Sequence, residues 1–336
     1  MKYRRPIILN LCILSLLLLL CGCSRKSEPI RKSGFYFDTV ITVTLYEKEQ
    51  EPLLEKCLAL ADRYEKMFSN TIADSDISKI NAAAGNPVTV SDETIELLKL
   101  GIHYGELSDG AFDITVGRLS SLWDFSDNTG TIPGADEIQE ALTSIDYHAI
   151  EIDDNQVKLN NPDAQLDLGG IAKGYIADRM KDFLVAHGVT NGIINLGGNV
   201  LVIGSKSDGS GYTIGIQKPF EETGTAIASV RISDRTVVSS GVYERYSYYE
   251  DQLYHHILDT ATGYPCENDL LGVSIICGSS ADGDALSTIT FTKGLDAGMR
   301  FIEGLPDTEA IFITVDYEVY TTSGVGKNMD FMLRDF

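Results

Sequence analysis

Apolar and polar residues alternate from Phe35 to Tyr46 (FYFDTVITVTLY), which is the period of a half-buried strand. The period then changes. Leu53, Leu54, Cys57, Leu58, Ala61, Tyr64, Met67 and Phe68 recur at helical spacing and predict an amphipathic helix over residues 51–68. Ser91 with Asp92 and Glu93 predicts another helix start, with Ile95, Leu98 and Ile102 on one face. Residues 136–145 read as a third helix, and strands at 149–152 and 156–160 flank a turn at Asp153, Asp154 and Asn155. A helix over 171–187 would carry Ile171, Tyr175, Ile176, Met180, Phe183 and Leu184 on one side. From 192 to 257 strand follows strand, punctuated by Gly, Asp and Ser. A helix returns at 280–303, and strands at 310–315 and 318–322 close the chain. Helices and strands mix without regular βαβ alternation, so the expected class is α+β, with a largely antiparallel sheet and flanking helices. No Pro/Ser-rich linker breaks residues 34–336, which predicts one catalytic unit there.

The N-terminus reads as an address. Lys2, Arg4 and Arg5 precede an apolar stretch at 7–20. That is shorter than the roughly 20 residues of a spanning helix and has the layout of a signal peptide. It ends in Leu20-Cys21-Gly22-Cys23, which resembles a bacterial lipobox with Gly22 in the small position. Residues 1–22 are therefore expected to be a lipoprotein signal peptide, and Cys23 the lipidated new N-terminus. Cys21 fits less well, because Leu20 precedes it. An ordinary cleaved signal or an uncleaved anchor is the alternative. Residues 23–33 would form a polar tether, holding the protein to the extracytoplasmic face of the cell membrane.

The 336 residues are 43% hydrophobic and 9% aromatic, enough to build a core, so disordered and collagen-like classes are excluded. The formal charge is −22, and losing Lys2, Arg4 and Arg5 with the signal takes it to about −25. Such a field repels phosphate backbones and argues against a nucleic-acid partner. Beyond the export segment only Cys57, Cys266 and Cys277 remain, without C-x-x-C spacing, so at most one bridge could form. Cys57 and Cys277 sit in apolar patterns and read as core residues.

Four polar, glycine-rich segments stand out. In SDGAFDITVGRLSSLWDF (108–125), Asp113 lies between Phe112 and Ile114 and needs a partner; it could equally cap a following helix. In DLGGIAKGYIAD (167–178), two glycines open a helix and Lys173 lies in its first turn. Helix-start amides favour an anion, although a loop packed closely on a strand gives the same pattern. In LYHHILDTATGYP (253–265), adjacent His255 and His256 would point to opposite faces of a strand, one toward a site and one away. A histidine near Asp259 is general-base equipment, or simply structural. In SSADGDALST (279–288), Asp284 and Thr288 share a helical face and are hard oxygen ligands suited to Mg²⁺. An N-cap aspartate with a back-bonding threonine is the alternative.

These segments occur in the order FSNTIADSDISKIN, SDGAFDITVGRL, DLGGIAKGY, INLGGN, IGIQKP, VVSSGVYER, HHILDTATGYP and ADGDALST. In that order they resemble the ApbE-like FAD:protein FMN transferases, over nearly all of the chain from residue 35. The resemblance implies a T-fold-related architecture and Mg²⁺-dependent transfer of FMN from FAD to a threonine or serine hydroxyl of an extracytoplasmic acceptor protein, with AMP leaving. It implies Asp284, Thr288 and the Gly170 carbonyl as metal ligands, and His256 as the base. It implies flavin-nucleotide contacts from Asn70, Thr71, Phe112, Asp113, Asp167, Lys173 and Ile257. A respiratory-complex subunit or an electron-transfer lipoprotein would be the acceptor. Departures from the family pattern include Phe37-Asp38-Thr39 in place of an early Met-Gly-Thr-like triplet, and Gly283 inside ADGDALST. Two other functions use the same residues: an FAD pyrophosphatase releasing free FMN, and a non-catalytic flavin carrier.

Overall fold

The computed structural model describes residues 28–125 and 132–334. The expected signal peptide and Cys23 lie outside the described residues. The first described elements correct two expectations. β1 (Ile30–Tyr36) and β2 (Thr39–Leu45) form a hairpin, so the strand read over 35–46 is in fact parts of two. Phe37 and Asp38 reverse the chain with φ of 52° and 55°, the left-handed pair that matches the twist of a two-residue hairpin. The expected tether is shorter as well, because its last residues, from Ile30, are already in β1.

Helix α1 (Glu51–Phe68) buries Leu54, Cys57, Leu58, Ala61, Tyr64 and Phe68 along the stripe its spacing dictates. α2 (Asp76–Ala82), β3 (Val88–Thr89) and α3 (Asp92–Ser108) follow. Ser91 caps α3 as read, its Oγ accepting from Thr94 N. The one-turn α4 (Gly117–Ser120) and α5 (Ala135–Leu142) precede the hairpin of β4 (Ile150–Asp153) and β5 (Gln156–Leu159), then α6 (Ala172–Ala186). A run of strands comes next: β6 (Asn191–Leu196), β7 (Asn199–Gly204), β8 (Tyr212–Gln217), β9 (Ala226–Ile232), β10 (Thr236–Gly241), β11 (Tyr246–Tyr249), β12 (Gln252–His255) and β13 (Leu270–Cys277). α7 (Ser280–Glu303), β14 (Glu309–Thr314), β15 (Val319–Thr321) and β16 (Asp330–Leu333) complete the described chain.

Eight strands form one sheet in the order β1-β2-β6-β7-β10-β13-β14-β15, with every neighbouring pair antiparallel. The α+β expectation therefore holds. Both faces are covered, which is why β13 and β14 read as unbroken apolar runs. Val273, Ile275, Ala310 and Phe312 face the helices, whereas Ile276, Ile311 and Ile313 face a second core built with β8 and β9. A two-stranded sheet, β11-β12, stands apart from the large one. Cys57, Cys266 and Cys277 are free, and burial pushes each thiol up to about 12. Among the described residues no helix is long and apolar enough to cross a membrane.

Candidate active site

The loop before α6 is fixed from several directions. Asp167 N–H donates to the Ile114 carbonyl at 2.9 Å. Its carboxylate accepts from Gly169 N and from Ser120 Oγ, each at 2.8 Å. Asn81 accepts from Leu166 N at 2.7 Å and donates to the Leu166 carbonyl at 3.0 Å. Gly169 and Gly170 then lead into α6, so the loop does open a helix. Lys173, in its first turn, folds back so that Nζ donates to the Gly169 carbonyl at 2.9 Å and lies 3.9 Å from Asp284 Oδ1.

Asp284 is not a helix cap. Ser279 caps α7, accepting from Asp282 N at 3.2 Å, and Asp284 sits a turn further in. Its side chain is buried, with Oδ2 accepting from Gly174 N at 2.9 Å. Burial pushes its pKa up, while Lys173 and the Gly174 amide oppose that shift. Thr288, four residues on, shares its face. A Cβ on Gly170 would stand 2.9 Å from the Phe112 ring and 3.8 Å from Thr288 Oγ1, so Gly170, Phe112 and Thr288 meet at one spot. The carboxylate, the hydroxyl and the Gly170 carbonyl are hard oxygen donors. Among the described residues there is no group of three or more His, Cys, Asp or Glu able to hold a metal. So sparse a set fits Mg²⁺, which keeps several waters and ligand oxygens.

The two histidines differ in environment. His255 ends β12 and is buried. Its Nε2 lies 3.1 Å from the Cys266 carbonyl and its Nδ1 accepts from Ile257 N at 3.3 Å, which assigns the proton to Nε2. Burial pushes its pKa down to about 4. His256 lies one residue beyond the strand, so the opposite-face reading gives way to a strand end. Its backbone N–H donates to the Arg245 carbonyl at 3.1 Å, and its Nδ1 lies 3.2 Å from the same oxygen. That assigns the proton to Nδ1 and leaves Nε2 as an acceptor. Burial first, then the charges of Arg245, His255 and Lys173, push its pKa down to about 3. The half-buried ring is thus neutral at pH 7.

Other expected site residues are placed differently. Asp113 caps no helix, since Val116 precedes α4. Its buried carboxylate accepts from Thr115 N at 2.8 Å, Thr115 Oγ1 at 2.6 Å and Tyr147 N at 2.9 Å. It lines a cleft of about 270 Å³ with Gly110, Tyr147 and Thr260. Ile257 is buried beside His255. Asn70 and Thr71 are exposed just past α1, where Thr71 bonds locally to Ser69. Two groups were not read from the sequence. Glu244 keeps an exposed edge, yet burial of its carboxylate pushes it up to about 7, opposed by Lys173 and reinforced by Asp284. Asp178, on α6, bonds to the start of α7. Both sit inside motifs already noted, VVSSGVYER and DLGGIAKGYIAD, and an acidic residue within an apolar motif was the available signal.

Comparison with known proteins supplies the family. Residues 37–312 match the model of the ApbE family. An FAD:protein FMN transferase of Klebsiella pneumoniae is 36% identical, covering 87% of this chain and 91% of the relative. One of Treponema pallidum is 30% identical, covering 91% and 90%. The crystal structure of the ApbE protein of Thermotoga maritima superposes with a TM-score of 0.82 at 31% identity, covering 88% of this chain and 97% of that one. The apo flavinyl transferase ApbE of Pseudomonas stutzeri does so at 0.77 and 28%, covering 88% and 95%.

Proposed function

The chain belongs to the ApbE family, and on that premise we propose that it is an FAD:protein FMN transferase that uses Mg²⁺. It moves FMN from FAD to a threonine or serine hydroxyl of another protein and releases AMP. The observation that carries this reading is the meeting of Lys173, Asp284, Gly170 and Thr288, with the Lys173 charge also acting on His256.

FAD's diphosphate is anionic and the chain carries −22, so the bulk field does not attract it. Local groups must. The Lys173 ammonium supplies positive potential beside the Gly169 carbonyl and Asp284. Gly170, Asp284 and Thr288 would hold Mg²⁺, which when bound offsets charge on the phosphates and the leaving AMP. His256 accepts the acceptor hydroxyl's proton on Nε2, because Nδ1–H is held by the Arg245 carbonyl. The oxygen so freed bonds to the FMN phosphorus, and the bond from that phosphorus to AMP breaks. A ring that is neutral at pH 7 can do this without first losing a proton. We place the protein on the extracytoplasmic face of the membrane, held by a lipid on Cys23, with an exported acceptor.

The test is incubation with FAD, Mg²⁺ and a lysate of the source organism, followed by a denaturing gel. A fluorescent flavin band on a protein supports transfer. Free FMN and AMP with no labelled band would make the protein a pyrophosphatase, and unchanged FAD would sink both activities.

A further inference from the structure

The start of α7 is pinned from α6 by one carboxylate. Asp178 accepts from Ser280 N at 2.9 Å on Oδ1, and from Ala281 N at 3.0 Å and Ser279 Oγ at 2.9 Å on Oδ2. The first amides of a helix have no intrahelical partner. Here two are taken by Asp178, the third, Asp282 N, by Ser279 Oγ, and Gly283 N already reaches the Ser279 carbonyl. A negative charge at this end also suits the helix dipole.

Two further strands grip the same turn. Ser280 Oγ donates to Asn199 Oδ1 on β7 at 2.6 Å and lies 3.1 Å from Thr236 Oγ1 on β10. All three side chains are buried. One turn back along α6, Gly174 sits so close that a Cβ there would overlap the Ser280 carbonyl. Its N–H is the one that bonds Asp284. So α6 grips α7 at two levels: Asp178 at the first turn and Gly174 at Asp284.

The geometry points to Asp178 as a positioning residue for the cation site, one that sets the axial and rotational seat of α7 so that Asp284 and Thr288 face Gly170. This rests on the Mg²⁺ site proposed above. Residues 280, 284 and 288 lie on one helical face. Asp284 is about 6 Å along the axis from Ser280, and Thr288 about 12 Å. A shift at the anchored turn is therefore passed directly to both ligands. Partners that orient metal ligands are worth about 10–100-fold in metal affinity.

The experiment measures Mn²⁺ binding by electron paramagnetic resonance in the full-length protein with ADP, a diphosphate that cannot donate FMN. Wild type, Asp284→Ala and Asp178→Asn are compared, together with thermal melting and the Mg²⁺ dependence of FMN transfer. Asp178→Asn should bind Mn²⁺ about 10–100-fold more weakly. Its kcat should recover toward wild type at saturating Mg²⁺, a split that lost stability alone does not produce. Wild-type Mn²⁺ affinity in Asp178→Asn overturns the proposal, whatever its melting temperature. If Asp178→Asn does not fold, Ser279→Ala removes one of the three donors and is judged by the same affinities. If wild type binds no Mn²⁺, or Asp284→Ala binds it equally well, the cation site itself is misplaced and the proposal falls with it.

Discussion

The junction of α6 and α7 and the hairpin of β11 and β12, which on the proposed mechanism would supply opposite halves of the chemistry, are built by opposite means. The junction is buried, its helix-start amides are satisfied, and it is gripped by the main sheet through Asn199 and Thr236. Among the described residues the strands of the hairpin pair only with each other; it turns at Glu250 and Asp251 with positive φ, and exposes Tyr248 and Tyr249. The first brings Lys173 and Asp284 together and the second leads into His256. A small anionic ligand is best met by groups already in place, since they need no reorganisation when it binds. On the proposed reading a protein acceptor approaches from outside, by way of the exposed hairpin that leads into half-buried His256.

The sharpest way to break this comparison is at the base. His256→Ala should lower FMN transfer about 10²–10⁴-fold with FAD and Mn²⁺ affinities close to wild type, measured by covalent flavin incorporation beside equilibrium binding. A matching loss of FAD affinity would mean that the hairpin side also holds the cofactor. His255 should behave as core. Its folded pKa, about 4, lies below the unfolded value of roughly 6.5. The unfolded chain then binds the extra proton, so stability present above about pH 6.5 is lost as pH falls toward 4. At full protonation this is about 3 kcal/mol. His255→Gln should reduce that slope in denaturant titrations between pH 7 and 4, leaving the share of His256, which is also pushed down, and an unchanged slope would assign the acid sensitivity elsewhere.

Two substitutions probe rigidity directly. Gly174→Ala gains about 1 kcal/mol of helix propensity. It also drives a methyl into the Ser280 carbonyl, and overpacking costs about 1–3 kcal/mol. The overlapped atom is backbone and cannot rotate aside, so a net loss is expected in the denaturant midpoint, with weaker Mn²⁺ binding. The smallest effect belongs to Tyr248→Ser on the exposed hairpin, within about 0.5 kcal/mol. A larger loss there would show that the hairpin is as firmly held as the junction.

Much of the scaffold was legible because local pattern and tertiary role coincide. The stripe of α1 and the Ser91 cap of α3 are self-contained signals. The β1–β2 turn was not, because Phe37-Asp38 lacks the Gly or Asn that marks such turns and the strand alternation runs on through it. Asp284 and Thr288 were legible as a pair from helical spacing, although the alternative of a cap needed Ser279 in view to be dismissed. Asp113 drew notice as a carboxylate among apolar residues in need of a partner, and it finds partners at Thr115 and Tyr147. Asp178 stayed hidden because the amides it serves, at 280 and 281, are distant in sequence, and no periodicity connects them.

The oxygen that holds the His256 proton belongs to the main chain of Arg245, and every amino acid carries that atom. Substitution at 245 can therefore alter the charge beside the imidazole while leaving its tautomer unchanged. The two properties can vary independently over generations, and related proteins are free to retune the base without rebuilding it. What does hold that oxygen beside the ring is again main chain, because the backbone N–H of His256 itself donates to it at 3.1 Å.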